Sequence, residues 1–550
     1  MNHLFRKTVI LLVFLIAILQ IIYMTLISRL EPRSNHKNFN KNRKIFNYNY
    51  IDHDDDDGDH KNRRDRVVGE RINFEGNRKL KHSLSSAPRS SPKYAKNDVV
   101  EERKRMYKSL QSLSCVLDSS GEYRILSFIS HQDLNNGDDE DLVRHKHYHQ
   151  LRENSFPIKS DNFNANNVFK KNDLSIVTHG TLHQLSNLDF LAQKWNGPIS
   201  VAVFAVSVQQ LPLIIEAILL LRYCNPLVRE RISFNLVYPL NFSNKLNNRQ
   251  VRSVLDFLKW PDIEQFYPEF ENFISNSNCI NIERSILKLI KRPTINYDHD
   301  VAYPNNLLRN IARRNALTEY TLVIDLDLVP SENLYEKFID FAKRTKFFRK
   351  TDSFLNGERS EKTVFVIPTF EIDLDVMKQS DSTNRYLKKD LLIPADESQL
   401  MEAIDRKFIR PFYIELCWKC QKHTDYIAWI RETLRSLRKN SSHETDNIDV
   451  MHEVFWRDPW EPFYISSNDV PFYDERFRQY GFNRISQVCE LNVAGYSFQV
   501  LRNAFLIHKG FKKVDGFHSN KNIELEHNRN LFRKFKIQLK DRYPKSTRKC

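Results

Sequence analysis

From Asp173 onward the chain alternates two kinds of apolar stretch. LSIVTHGT and ISVAVFAVS are short runs rich in β-branched residues, QLPLIIEAILLLRYC carries its apolar residues at helical spacing, and ISFNLVYPL returns to the strand pattern. Consecutive parallel strands need a long crossover, and the strand-helix-strand order supplies one. This texture predicts the α/β class, a mostly parallel sheet flanked by helices. No period of roughly 20 to 50 residues recurs, which argues against a repeat architecture.

Sheets of this kind bind nucleotides at their carboxyl edge. The chain has only 12 glycines in 550 residues, with no GxGxxG and no GxxxxGK[ST]. A backbone cradle for phosphate is therefore not expected, and a bound diphosphate would need other neutralisation. A metal ion held by carboxylates provides it.

The stretch YTLVIDLDLVPSENLYEKF, Tyr320 to Phe338, runs apolar residues straight into Asp325-Leu326-Asp327. With a side-chain period of two the aspartates share one face, and Pro330 is expected to end the strand just beyond them. Two oxygen donors there can hold Mn²⁺ or Mg²⁺ and leave coordination positions for phosphate. An acid-rich chain also produces Asp-x-Asp by accident: Asp52-His-Asp54, Asp298-His-Asp300 and Asp373-Leu-Asp375 share the spacing.

The N-terminal part has a different character. Val9 to Ile27 carries no charge, and at about 1.5 Å per residue it spans a bilayer core of roughly 30 Å. It is longer than a usual signal-peptide core, and SRLEPR after it offers no small-residue cleavage site. Arg6 and Lys7 are outnumbered by the basic residues that follow the run, so positive charge alone argues for the opposite orientation. The sequons at Asn241 and Asn440 favour a luminal body. The resulting division is a cytoplasmic tail at 1–7, a signal anchor at 8–28, a luminal stem and pre-domain segment at 29–172, and the α/β domain at 173–550. The stem is poor in apolar residues and rich in mixed charge, including Asp54 to Asp57, which is a composition too polar to bury a core.

The formal net charge is +15, but basic residues are dispersed and no nucleic-acid-binding motif is present, so a nucleic-acid partner is not expected. Seven cysteines are too few for a disulfide scaffold of this size, although some should pair in an oxidising lumen. Cys417-Trp-Lys-Cys420 lacks the second ligand pair of a zinc site.

The segments YPNNLLRNIARRNALTEYTLVIDLDLVPS, DPWEPFYI, VPFYDERFRQYGFNRISQVCELNVAGY and AFLIHKGFK together closely resemble glycosyltransferase family 49, most nearly its β-1,4-glucuronyltransferases. The resemblance covers roughly Asp173 to Lys513, with a weaker echo at LDSSGEYRIL. It implies a GT-A fold, inversion at the anomeric carbon, a UDP-sugar donor and a divalent cation, Mn²⁺ or Mg²⁺. It also implies a single-pass type II enzyme of the Golgi membrane acting on glycoprotein glycans. The family's best-described role is adding glucuronic acid to xylose on the O-mannosyl glycan of α-dystroglycan. N-acetylglucosamine transfer to poly-N-acetyllactosamine is the alternative activity.

The family's metal motif falls on Asp325 and Asp327. His508, in AFLIHKGFK, is placed to complete the coordination, or it is an ordinary core histidine. Lys509 and Lys512 can act as point charges on the diphosphate. Asn306, Arg309 and Asn310 resemble the family's nucleotide-facing helix and share one helical face. An inverting transferase needs a carboxylate near the acceptor hydroxyl, and YDERF offers Asp474 and Glu475. Related GT-A enzymes often carry that acid where this chain reads Gly481-Phe482-Asn483, which leaves the assignment of the base open. Trp456 and Trp460 are either acceptor-stacking rings or core. Arg484 can grip a glucuronate carboxylate, or it pairs with Asp474 or Glu475. Two other classes of function stand beside the enzyme: an inactive membrane-anchored scaffold associated with another glycosyltransferase, and a lectin-like module.

Overall fold

In the computed structural model the described residues are 116–118, 120–129, 170–207, 210–239, 279, 282–289, 301–348, 362–373, 393–438, 447–513 and 520–550. The anchor, most of the stem, both sequons, Asp52-His-Asp54, Asp298-His-Asp300 and Asp375 lie outside them. Among the described residues, no helix is long and apolar enough to cross a membrane.

The strands are β1 Val116–Leu117, β2 Tyr123–Ile129, β3 Lys170–Thr181, β4 Ile199–Phe204, β5 Ile232–Pro239, β6 Thr318–Val323 and β7 Leu328–Pro330. They continue as β8 Thr363–Ile367, β9 Thr369–Ile372, β10 Ile409–Pro411, β11 Asp449–Val454, β12 Phe463–Ser467, β13 Ser497–Arg502 and β14 Leu506–Lys509. Among the described residues one sheet runs β1-β2-β5-β4-β3-β6-β12-β8-β13-β11, and a second runs β10-β9-β14-β7.

The quoted apolar runs become β3, β4 and β5, and the helical stretch becomes the helix Leu211–Cys224. β5, β4, β3 and β6 are mutually parallel. Their side chains alternate between two apolar layers, as the pleat requires. Ile176, Val201, Val203, Leu236 and Leu322 pack on one face with Leu191, Ile214, Ile218, Leu221 and Phe338 from flanking helices. Val177, Ala202, Phe204 and Val237 pack on the other with Leu307, Leu308 and Ile311 from the helix Asn305–Arg314. Both faces being covered explains why these strands read as continuous apolar runs.

The spatial order β5-β4-β3-β6 reverses direction at β3: the chain builds outward through β4 and β5, then crosses back to place β6 on the other side. The carboxyl ends of β3 and β6 therefore border a topological switch point, where open α/β sheets place their ligands. β12 joins β6 antiparallel, with Ile465 opposite Leu322, so the residues entering β12 arrive at this same end.

Two boundaries differ from the sequence reading. The hairpin β1–β2, within the segment assigned as stem and pre-domain, pairs with β5 and extends the main sheet. Pro330 does not end the strand that precedes the aspartates. β6 stops at Val323, Asp325–Asp327 sit in the following turn, and Pro330 ends the separate strand β7. Three disulfides, Cys224–Cys279, Cys417–Cys420 and Cys489–Cys550, are formed among the described residues, so some of the cysteines pair as expected.

Candidate active site

Two strand ends supply the centre of the site. The turn after β6 carries Asp325 and Asp327, whose side chains remain 31% and 28% exposed although their surroundings are buried. The end of β3 carries His179, which sequence reasoning missed. Its Nδ1 lies 2.8 Å from the Tyr303 hydroxyl, and its Nε2 is 3.9 Å from Asp325 Oδ1, too far for a hydrogen bond. Burial, with Arg309 next, holds the imidazole down to about 3, so it is neutral at physiological pH. A histidine closing a strand at a switch point was the signal available for finding it.

Asp325 is bracketed by two guanidinium groups. Arg484 Nη2 donates to Oδ2 at 2.8 Å, and Arg309 Nη2 to Oδ1 at 3.3 Å. Burial alone would raise its carboxyl, but the two arginines outweigh burial and hold it well below the usual carboxylate range. Arg484 thus pairs with Asp325, not with Asp474 or Glu475, and its guanidinium lies 3.9 Å over the Phe463 ring.

Asp327 faces a different set. Its Oδ2 lies 2.9 Å from His508 Nε2 and 3.4 Å from Lys512 Nζ, and these partners overcome burial to depress its carboxyl strongly. His508 Nδ1 lies 2.6 Å from the Gly510 carbonyl, which can only accept, so Nδ1 carries a proton. Nε2 is the ring nitrogen left facing Asp327 Oδ2, and it is the one free to ligate a metal in exchange for that contact. Asp327 Oδ1 is buried with no hydrogen-bond partner among the described residues. An orphaned carboxylate oxygen beside an imidazole nitrogen fits a divalent cation. Among the described residues no three such groups form a closed metal cage by themselves. A site with few protein ligands suits a cation that also takes phosphate oxygens.

The other expected residues fall into place unevenly. Asn306 and Asn310, offered as nucleotide-facing, instead have their amides committed to the protein. Asn306 Nδ2 donates to the Asp474 and Asn483 carbonyls, and Asn310 donates to the Tyr473 carbonyl and Glu475 while accepting from Tyr473 N–H. Arg309, on the same helix, does reach the centre and is steadied by Asn306 and Asn483. Asp474 is ion-paired with Arg476, and Glu475 is held by Asn310 and, at 3.5 Å, by Arg314. Lys509 lies beside the site with Nζ 4.1 Å over the Phe190 ring, and its N–H donates to the Asp327 carbonyl.

The tryptophans belong to the core. Trp460 is 0% exposed and donates to Thr424 Oγ1, and Trp456 is buried and donates to the Trp460 carbonyl. Neither offers a ring face for sugar stacking.

A second residue that sequence reasoning missed follows directly on Trp460. Burial pushes the Glu461 carboxyl up to about 7 against the opposing pull of Arg484 and Arg309, with Asp325 adding repulsion. A glutamate beside a tryptophan in an aperiodic loop carries no sequence signal of this environment.

The switch point offers a place for a diphosphate donor whose charge is met by cationic groups instead of a glycine-rich loop. That arrangement on a mixed α/β sheet fits a GT-A-like glycosyltransferase domain. The sequence model of the family described as "Glycosyl-transferase for dystroglycan" matches residues 173–544, and the chain belongs to this family, glycosyltransferase family 49. It is 36% identical to the β-1,4-glucuronyltransferase 1 of Danio rerio over 389 residues, covering 69% of this chain and 76% of that protein. It is likewise 36% identical to the Homo sapiens β-1,4-glucuronyltransferase 1 over 382 residues, covering 69% and 78%. The xylosyl- and glucuronyltransferase LARGE2s of Danio rerio is 29% identical over 212 residues, 38% of this chain and 23% of that protein. The protein is therefore a glycosyltransferase, which takes a nucleotide-sugar donor and a glycan acceptor.

Proposed function

We propose that this glycosyltransferase moves glucuronic acid from UDP-glucuronic acid, with inversion, onto a xylose-terminated O-mannosyl glycan of glycoproteins such as dystroglycan. It works as a single-pass type II protein of the Golgi membrane. The observation that carries the chemistry is the convergence of Asp327 with His508 and Lys512, and of Asp325 with Arg309 and Arg484, at the switch point.

Asp327 and His508 would hold a divalent cation, Mn²⁺ or Mg²⁺, with Asp325 beside them. When bound, that ion supplies positive charge to the leaving diphosphate. Lys512, and Lys509 from the adjacent strand, add charge on the same side. Arg309 and Arg484 keep Asp325 ionised and fixed in orientation. Glucuronate favours this reading over N-acetylglucosamine on physical grounds, because a carboxylate desolvated near a diphosphate needs a guanidinium to offset its cost. Arg484 is the nearest candidate.

The test is a donor panel. Purified full-length protein in detergent with Mn²⁺ is given UDP-glucuronic acid, UDP-N-acetylglucosamine and UDP-xylose, each with a simple β-xyloside and with N-acetyllactosamine. Glucuronate transfer to the xyloside is the expected result. Transfer of N-acetylglucosamine alone would establish the alternative activity. Donor turnover of any kind excludes the scaffold and lectin readings.

A further inference from the structure

The transfer needs a proton acceptor, and the two acids of YDERF are engaged elsewhere. We propose that the Glu461 carboxylate is the general base, receiving the proton of an acceptor hydroxyl bound beside the Tyr413 and Tyr480 hydroxyls. This inference rests on the transferase reading above but not on which sugar is transferred.

Position comes first. Glu461 lies two residues before β12, whose antiparallel register on β6 carries it past the end of β6, to the sheet edge where Asp325 and Asp327 stand. Its backbone is fixed: its N–H donates to the Cys420 carbonyl at 2.9 Å, and its carbonyl accepts from Gln421 Nε2 at 3.3 Å. Cys420 is itself tied to Cys417, and Trp460 before Glu461 is buried in the core. The side chain therefore projects from a rigid platform, as a catalytic group must.

Its surroundings come second. The charges that act on it are those of Arg484, Arg309 and Asp325, the cluster at the end of β6. Among the described residues no hydrogen bond or ion pair occupies its carboxylate. Asp474 and Glu475 are tied to Arg476 and to Asn310 with Arg314, and the buried Glu371 to Arg410.

The third observation is the tyrosine pair. Tyr413 and Tyr480 hydroxyls are 3.5 Å apart, and both rings feel the Glu461 charge. Tyr413 adopts φ 65°, a left-handed conformation that a bulky side chain enters at a cost. Its N–H donates to Glu371 Oε2 at 3.4 Å and its ring stacks on Phe412 at 5.2 Å. Such strain persists only where the surroundings enforce it, and the Tyr413 hydroxyl held this way feels the Glu461 charge.

The step is balanced. The acceptor O–H bond breaks and its proton passes to the Glu461 carboxylate. The oxygen forms a bond to the anomeric carbon from the face opposite UDP. The bond from that carbon to the diphosphate oxygen breaks, and its electron pair leaves with UDP. No oxidant or further reactant is needed.

The experiment compares full-length wild type, Glu461→Gln and Glu461→Ala in detergent with Mn²⁺, using whichever UDP-sugar the wild type transfers. Glu461→Gln should lose about 10²- to 10⁴-fold in kcat, with UDP affinity by calorimetry within about threefold of wild type, since only the proton acceptor is removed. Glu461→Ala supplied with sodium azide, a nucleophile that needs no base, should form the inverted β-glycosyl azide while wild type forms the glycoside. Glu461→Gln transferring within about threefold of wild type would overturn the proposal. So would loss of UDP binding in step with kcat, or Glu461→Ala that binds UDP yet forms no azide adduct. A wild type that transfers a sugar other than glucuronic acid would instead overturn the donor assignment, leaving the Glu461 comparison intact.

Discussion

At the scale of single residues, the centre of the site divides its labour by charge. Asp327 turns to an imidazole and a lysine, Asp325 to two arginines, and the difference arises because Lys512 and His508 come from the β14 side while Arg309 and Arg484 come from helices. Arg484 is the residue where donor choice should be most sensitive. Arg484→Met should lower glucuronate transfer by about 10- to 100-fold, the size expected on losing a hydrogen bond to a charged group. UDP affinity should change only a fewfold. Steady-state transfer from UDP-glucuronic acid, set against calorimetric UDP binding, separates the two, and an equal loss in both would place Arg484 on the nucleotide instead.

At the scale of elements, the acceptor side proposed above would depend on the C-terminal helix. The segment from Gln479 to Phe482 contains three left-handed residues, Gln479, Gly481 and Phe482. At Gly481, with φ 91°, an added Cβ would also meet Leu525 Cδ1 at 2.7 Å. Asn528 of the helix Lys521–Arg542 donates to the carbonyls of Arg478, Tyr480 and Gly481, and Phe532, Phe535 and Leu539 bury that helix. Asn528→Ala leaves those carbonyls without their donor, so it should cost about 1–3 kcal/mol of stability in urea unfolding. It should also raise the KM for acceptor more than that for donor, because Tyr480 lies in the released segment. An unchanged acceptor KM would detach this helix from the acceptor site.

The same elements show what a sequence can and cannot disclose. The strands β3 to β6 were legible because strand runs leave local marks, whereas Asp325 and Asp327 were one of four Asp-x-Asp spacings and were singled out by the family resemblance. His508 was legible as a candidate from its place near the end of a strand. Asn306 and Asn310 share a helix face with Arg309, as the spacing requires, but which backbone groups meet that face is decided by a loop more than 150 residues away. The tryptophans of FWRDPWEPF read equally as sugar platform or core, and burial decided it. Glu461 beside them was illegible because its neighbours arrive from the turn after β6 and from two helices distant in sequence.

At the scale of the whole molecule, the luminal topology proposed above would put Asn241 and Asn440 within reach of the glycosylation machinery. Removal of N-glycans from the expressed protein should increase its gel mobility. An unshifted wild type whose body is digested by protease from the cytosolic side would reverse the orientation.

The central claim is that the donor's diphosphate is met by a metal ion held at Asp327 and His508. The direct measurement is glucuronate transfer by full-length protein after EDTA treatment and Mn²⁺ add-back, for wild type and Asp327→Asn side by side. The prediction is no transfer by wild type without metal, recovery on add-back, and a loss of about 10²-fold or more in Asp327→Asn with its thermal unfolding cooperative and intact. Undiminished transfer by metal-free wild type, or by Asp327→Asn at limiting Mn²⁺, would contradict it.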